Sequence, residues 1–243
     1  MLRLLYACYT WLFWVPMLCL VTLLSGTAVL LLTWFFPRQV NHIVPLFWSR
    51  VMFYLTPAVL NIVGRENVRP DQSYVVIANH VSHFDIFVLY GWLPMDLKWV
   101  MKKELRKVPV IGVSAVALGH IIIDRQNRAA AVASLQAART SMRPGSSIMF
   151  FPEGTRSRDG KLMEFRKGAF ATAQDMDLPI LPVTIVGTER ILPPDSVRLW
   201  PGKVTLYIHP PIGVEEVRAL AVDALLRRSR DIVAGPLRPL GMA

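Results

Sequence analysis

The chain is poor in cysteine. Its 243 residues hold two, Cys8 and Cys19, both inside an apolar N-terminal stretch. Two such thiols offer no disulfide framework and no metal-ligand spacing, and they suit a reducing compartment. Acid is also scarce: 17 Asp and Glu stand against 27 Lys and Arg, a formal net charge of +10. That balance points to anionic partners: a membrane surface, a phosphorylated substrate or nucleic acid. Helix-turn-helix, zinc-finger and RNP-type patterns are missing, so nucleic acid is the weakest of the three and is not expected as a partner. Internal repeats and low-complexity linkers are missing too. The length then fits one ordinary domain with a short appendage.

The longest gap is in charge. From Leu4 to Phe36 no residue is charged, in a chain that is 53% hydrophobic. As one helix this stretch would run roughly 50 Å, against a bilayer core of about 30 Å. It is too long for the apolar region of a signal peptide, and no cleavage site follows it. Two arrangements fit. One is a single tilted span. The other is a pair of shorter helices, broken near Pro16 or Ser25-Gly26, dipping into one leaflet. Arg3 precedes the stretch and Arg38 and Arg50 follow it, a bias that puts the later part of the chain on the cytoplasmic side. Val44 to Val63 reads as an amphipathic helix lying on the membrane or on the domain beyond, or equally as an ordinary core helix. The expected division is a membrane-associated helical region, 1–65, and an α/β domain, 66–243.

Beyond residue 66, β-branched and apolar runs alternate with helical spacing. Tyr74–Ala78, Leu97–Met101, Gly119–Arg125, Ser147–Phe151, Leu178–Gly187 and Lys203–Ile208 read as strands. Helices are expected after Asp85, from Asn127 to Met142, from Phe165 to Gln174 and from Glu215 to Val233. Such alternation predicts an α/β fold, a mixed and mostly parallel sheet flanked by helices.

Chemistry gathers where these strands end. Asn79-His80-Val81-Ser82-His83-Phe84-Asp85 lies on a strand-to-helix turn. Five residues of separation, folded back, let the Asp85 carboxylate reach the His80 ring, fix its tautomer and leave the other nitrogen as a general base. Ser82-x-x-Asp85 is equally a helix capping box, in which Asp85 serves the helix and His80 is a loop residue. His80, His83 and Asp85 as metal ligands is a third reading, but nothing completes such a site, so no metal is expected. Lys102-Lys103-Glu104-Leu105-Arg106-Lys107 is a phosphate or headgroup site, or a solvated helix start. Arg125 binds phosphate or merely pairs with Asp124; His120 beside it reads as a packing residue. Phe151-Pro152-Glu153-Gly154-Thr155-Arg156 carries phosphate-binding equipment. Gly154 allows close backbone approach, Thr155 donates, and Arg156 grips bidentately. Glu153 orients Arg156 or takes a substrate hydroxyl; a plain turn with a local Glu-Arg pair is the alternative. In open α/β sheets ligands bind beyond the carboxyl ends of strands, which is where all these groups fall.

Taken together, His80-x-x-x-x-Asp85, Lys102-Lys103-Glu104-Leu105, Gly119–Arg125, Phe151–Arg156 and Leu181-Pro182-Val183 resemble the blocks of the glycerolipid acyltransferases, of the 1-acyl-sn-glycerol-3-phosphate acyltransferase type. The resemblance covers about Tyr74 to Val186 and rests on order and spacing more than on any one motif. His120 departs from the family, which more often has an apolar or aromatic residue there. The resemblance implies transfer of a fatty acyl group from acyl-CoA or acyl-carrier protein to the 2-hydroxyl of a lysophospholipid, giving phosphatidic acid for phospholipid synthesis. It implies no cofactor beyond that co-substrate. It makes His80 and Asp85 catalytic, and Lys103, Arg125, Glu153, Gly154, Thr155 and Arg156 substrate-binding. It suits a membrane enzyme of bacterial inner-membrane type with its site toward the cytoplasm. Another lysolipid acceptor, a non-catalytic lipid-binding membrane protein and a metal-dependent hydrolase are the competing readings.

Overall fold

The structure, a computed structural model, describes residues 2–243, apart from the side chains of Arg38, Arg128 and Ser141. Arg38, one of the flanking charges counted above, therefore has its side chain outside the described residues. In chain order the strands are β1 (Ala58–Val63), β2 (Val75–Ala78), β3 (Asp96–Lys102), β4 (Ile121–Ile123), β5 (Ser146–Phe150), β6 (Ile180–Val186) and β7 (Gly202–Ile208). The helices are α1 (Leu2–Tyr9), α2 (Val15–Leu32), α3 (Pro37–Tyr54), α4 (Phe84–Trp92), α5 (Ile111–Ala117), α6 (Arg128–Ser141), α7 (Gly168–Met176), α8 (Thr188–Ile191), α9 (Val214–Ala219) and α10 (Val222–Ala234).

The strands form one sheet in the order β1-β7-β6-β2-β5-β3-β4. β2 to β6 run parallel, and β7 reverses against β6 and carries β1 parallel to itself. The mixed, mostly parallel α/β sheet expected from the alternation is thus present. Successive residues of β2 face opposite sides. Val76 and Ala78 join Trp99, Met149, Val183 and Leu206 under α3 and α4. Val75 and Ile77 join Ile148, Phe150 and Ile180 over α7 and α10. Every residue of β2 and β5 is buried, as a strand covered on both faces must be.

Two elements depart from their expected bounds. The helix expected to run to Val63 ends at Tyr54, and residues 58–63 form β1, paired with β7 from Ala58↔Gly202 to Val63↔Tyr207. The sheet therefore takes its first strand from residues assigned to the N-terminal region. The helix expected over Glu215 to Val233 is two, α9 and α10, separated by the extended Leu220 and Ala221.

The N-terminal stretch is not broken at Pro16 or at Gly26. Residues Leu2–Leu32 form one continuous rod, with a π-helical turn at Thr10–Trp14 just before Pro16. Proline lacks an N–H and crowds the carbonyl four residues back, and the widened turn relieves both. The chain reverses at Thr33–Phe36 and returns antiparallel as α3, with Trp48 Nε1 donating to Thr22 Oγ1 at 3.0 Å. One flank of the rod is fastened to the domain. Trp14 Nε1 donates to Thr56 Oγ1 (3.0 Å), Tyr9 OH to the Leu55 carbonyl (2.6 Å), and the Leu199 N–H to Thr10 Oγ1 (3.1 Å). The other flank and the turn, with Leu23, Leu30, Leu31, Trp34 and Phe35, are exposed.

Farther along, Gly26 meets Val110, which stands in front of α5. A Cβ on Gly26 would lie 2.2 Å from Val110 Cγ1. Val110 has φ +64° and ψ −54°, and the Ile111 N–H reaches back to the Pro109 carbonyl at 2.7 Å. This is a γ-turn with positive φ, costing a β-branched residue on the order of 1–3 kcal/mol.

Candidate active site

β2, β3, β4 and β5 end at one edge of the sheet, and their exits bring His80, Lys103, Arg125 and Glu153–Arg156 to that edge. Asn79 secures the first exit. Its side-chain amide donates to the Ile185 carbonyl and its oxygen accepts from the Ile185 N–H, both at 2.8 Å, stitching β2 to β6. The chain then turns through His80 to Ser82 into α4.

His80 Nδ1 lies 2.8 Å from Asp85 Oδ2. An ionised carboxylate only accepts, so Nδ1 carries the proton and Nε2 is left with a free lone pair. The same Oδ2 accepts from the Val81 and Ser82 backbone N–H groups, each at 2.9 Å. The bond from the Ser82 N–H and the contact to His80 therefore coexist on one oxygen, but the capping box is only half formed: the Asp85 N–H goes to the Ser82 carbonyl, and α4 starts after His83 without a side-chain cap. Ser82 Oγ accepts from the Phe84 N–H (3.0 Å) and donates to the Leu192 carbonyl (2.6 Å). Asp85 Oδ1 accepts from the Thr188 hydroxyl. Asp85 is 0% exposed, while the His80 side chain keeps 13%. The imidazole stacks on Phe151, 3.7 Å between centroids and 8° between planes. One face of the ring is thereby covered by an apolar partner.

Glu153 differs from expectation. It neither orients Arg156 nor faces an opening: it is 1% exposed, and its oxygens accept from the His80 N–H (2.6 Å) and the Met163 N–H (2.9 Å). Burial pushes its carboxyl up to about 7, against the pull of those two N–H donors. It braces the turn that presents His80. Ser157 braces the same turn from the other side, its N–H reaching the His80 carbonyl at 2.9 Å.

The cations fall in two groups. Arg156 donates to the Pro194 carbonyl, and its charge helps to hold the His83 ring below the usual histidine range, where burial is the larger cause. Around Gly154, whose φ is +79°, Arg125 donates to the glycine carbonyl and Arg166 lies across its α-carbon, 2.8 Å from where a Cβ would stand. Burial and the Arg166 charge both lower the Arg125 guanidinium. Lys103 Nζ pairs with Asp124 Oδ2 at 2.6 Å, so Asp124 serves Lys103 and not Arg125 as expected. Thr155 is exposed at the rim. Among the described residues no three His, Cys, Asp or Glu side chains converge as metal ligands.

His120, behind the site, places Nε2 2.7 Å from Tyr90 OH and Nδ1 within 3.4 Å of the Trp99 N–H. Thr188, Phe151 as a ring partner, and Arg166 are the contributors that sequence reasoning passed over. Thr188 follows a strand end, the signal that marked the others, but its partner lies 103 residues away.

Known proteins align with this chain along most of its length. A family model described as Acyltransferase matches residues 59–186. A 1-acyl-sn-glycerol-3-phosphate acyltransferase of Chlamydomonas reinhardtii is 33% identical over 236 residues, covering 95% of this chain and 68% of that one. The chloroplastic 1-acyl-sn-glycerol-3-phosphate acyltransferase LPAT1 of Arabidopsis thaliana is 31% identical over 207 residues, 84% of this chain and 58% of its own, so the chain spans less than two thirds of that relative. The crystal structure of the 1-acyl-sn-glycerophosphate (LPA) acyltransferase of Thermotoga maritima superposes with a TM-score of 0.81 at 26% identity, covering 99% of this chain and 97% of that one.

Proposed function

The chain belongs to the acyltransferase family, and from that membership we propose that it transfers a fatty acyl group from a thioester to the sn-2 hydroxyl of lysophosphatidic acid, giving phosphatidic acid. The observation that carries the reading is the 2.8 Å contact between His80 Nδ1 and a buried, fully hydrogen-bonded Asp85. With Nδ1 so held, Nε2 takes the proton of the acceptor hydroxyl as its oxygen attacks the thioester carbonyl carbon. The tetrahedral adduct collapses, the carbon–sulfur bond breaks, and the departing thiolate takes that proton from the imidazolium. The acceptor itself is the nucleophile, so no acyl-enzyme forms.

Arg156, with Lys103, Arg125 and Arg166, holds the acceptor phosphate in this scheme; Gly154 and Thr155 shape the floor and rim. Two guanidinium groups beside one glycine favour a dianionic phosphate monoester. Fixing the acceptor beside the thioester raises its effective concentration, a large share of the rate in such reactions. The donor is acyl-CoA or acyl-carrier protein, with no further cofactor, and the product feeds phospholipid synthesis. The exposed apolar flank of the N-terminal hairpin suits insertion into one leaflet of a bacterial-type inner membrane, with the site on the cytoplasmic side and the basic surface toward anionic lipid.

The test is an acyl-transfer assay on purified protein in detergent. It offers lysophosphatidic acid and a panel of other lysolipids, each with acyl-CoA and acyl-carrier protein, and products are read by mass spectrometry. Phosphatidic acid is expected from the wild type. His80→Ala is expected to lose about a hundred- to ten-thousand-fold in kcat while keeping its fold. Product from a different lysolipid alone would overturn the acceptor assignment, and wild-type turnover by His80→Ala would overturn the base.

A further inference from the structure

We propose that Thr188 is the positioning residue of the His80–Asp85 pair, a hydrogen-bond donor without which the carboxylate cannot hold the imidazole for both halves of the reaction. The proposal rests on the reading of His80 as the base. It concerns a residue two positions beyond the last one matched by the family model.

Asp85 is held through both of its carboxylate oxygens. Oδ2 has three donors, the Val81 N–H, the Ser82 N–H and the His80 ring, all from its own turn. Donors on one oxygen leave the carboxylate plane free to swing about that oxygen. Oδ1 has the Thr188 hydroxyl. That second anchor, from a different element, fixes the plane and with it the line along which Nδ1 is held. Both Asp85 and Thr188 are 0% exposed, so water cannot stand in for the hydroxyl. A carboxylate can only accept, so the Thr188 proton must point at Oδ1.

The position of Thr188 is itself built. Gly187 leaves β6 with φ +97°, and a Cβ there would lie 2.2 Å from the Lys203 carbonyl oxygen, so the turn admits glycine alone. Thr188 opens α8, and at the far end of that turn the Leu192 carbonyl takes the Ser82 hydroxyl at 2.6 Å. The segment 187–192 thus grips the catalytic turn at two points, Asp85 and Ser82. In the reaction His80 must first accept a proton and then return it to the thiolate. A charge-assisted bond to Oδ1 spreads the carboxylate charge and keeps that proton on the imidazole instead of letting it pass to Asp85.

The test compares Thr188→Val, Thr188→Ser and Thr188→Cys in the full chain, purified in detergent, with palmitoyl-CoA and lysophosphatidic acid as probes and thiol release as the readout. Thr188→Val keeps shape and removes the donor. Its kcat is expected to fall about 10- to 100-fold with both KM values nearly unchanged, the scale of one unsatisfied buried acceptor. The acid limb of its pH–rate profile moves to higher pH, because the pair holds a proton more tightly once the competing donor is gone. Thr188→Ser stays near wild type and Thr188→Cys, a weak donor, falls between.

Wild-type kcat and pH profile in Thr188→Val would overturn the proposal. So would a Ser variant as slow as the Val variant, which would make the methyl packing and not the hydroxyl the cause. If the Val variant does not fold, equal kcat and equal acid limbs for Ser and Cys overturn it. A second readout needs no substrate: the downfield His80 Nδ1–H resonance is expected in the wild type and Thr188→Ser and weakened in Thr188→Val, and its persistence unchanged in the Val variant sinks the idea. His80→Ala in parallel separates the two failures, since an active Ala variant removes the base while leaving the Thr188 bond in place.

Discussion

Two buried groups, Glu153 under the His80 turn and His120 beside Tyr90 and Trp99, respond to pH with opposite signs. Glu153 is raised from 4.5 to about 7. The folded state therefore holds a proton that the unfolded chain releases above 4.5, and folding loses support as pH rises from about 4.5 to 7. His120 is lowered from 6.5 to about 3, chiefly by burial and then by the Lys98 charge. The unfolded chain takes up a proton that the folded state refuses, so stability is whole above 6.5 and is lost as pH falls toward 3, by up to about 3 kcal/mol at pH 4. Thermal melts of wild type and His120→Gln between pH 7.5 and 4 should therefore converge or cross as the pH falls; parallel curves would remove His120 as the cause. If Arg166 holds the acceptor phosphate as proposed, Arg166→Met raises KM for lysophosphatidic acid several-fold with little change in kcat, since a contact made equally before and during the reaction is uniform binding; an unchanged KM would remove Arg166 from that role. The dyad was readable in the sequence because its partners are five residues apart. The role of Glu153 is not legible, because nothing in the order of residues says that its carboxylate accepts the Met163 N–H in the interior, and Arg166 carries no cue beyond being one more basic residue among many.

Among the elements, the helix pair and its seat on α5 depend on contacts with no slack. Gly26→Ala puts a methyl 2.2 Å from Val110 Cγ1. Val110 sits in a tight turn and cannot easily move, so α2 must separate from α5. A loss of about 1–3 kcal/mol is expected, read as a lower Tm in detergent. An unchanged Tm would mean that the Gly26 contact is loose. The interior strands were legible as β-branched runs, because burial on both faces selects for them. β1 was not, since Ala58-Val59-Leu60-Asn61-Ile62-Val63 follows an apolar helix with only Thr56-Pro57 to mark the change. Its pairing partner β7 lies some 140 residues on, and no local pattern announces such a partner. The continuity of the N-terminal rod was likewise hidden, because the π-helical turn that accommodates Pro16 has no distinct composition.

Over the whole molecule, one flank of the rod is fastened to protein and the other is bare, with Trp34 87% and Phe35 70% exposed at the turn. Replacing Leu31, Trp34 and Phe35 together by Ser should weaken binding to vesicles of anionic lipid while shifting Tm little, since these side chains support nothing inside. Sedimentation with vesicles at two salt concentrations reads both the apolar and the electrostatic shares. The same rod has a consequence for synthesis. The Leu199 N–H that reaches Thr10 is 189 residues away, and β1 closes only on β7. At translation speeds of about 5–20 residues per second, Leu55 and Thr56 follow the rod within seconds, but the Leu199 end of its seat comes roughly 10–40 s later. On the proposed membrane insertion, a lipid surface covers the rod's exposed flank during that interval. If the hairpin inserts as proposed, the domain is assembled on a bilayer that already holds its first helix, and the nascent chain meets the solvent of the proposed substrate before it has a site.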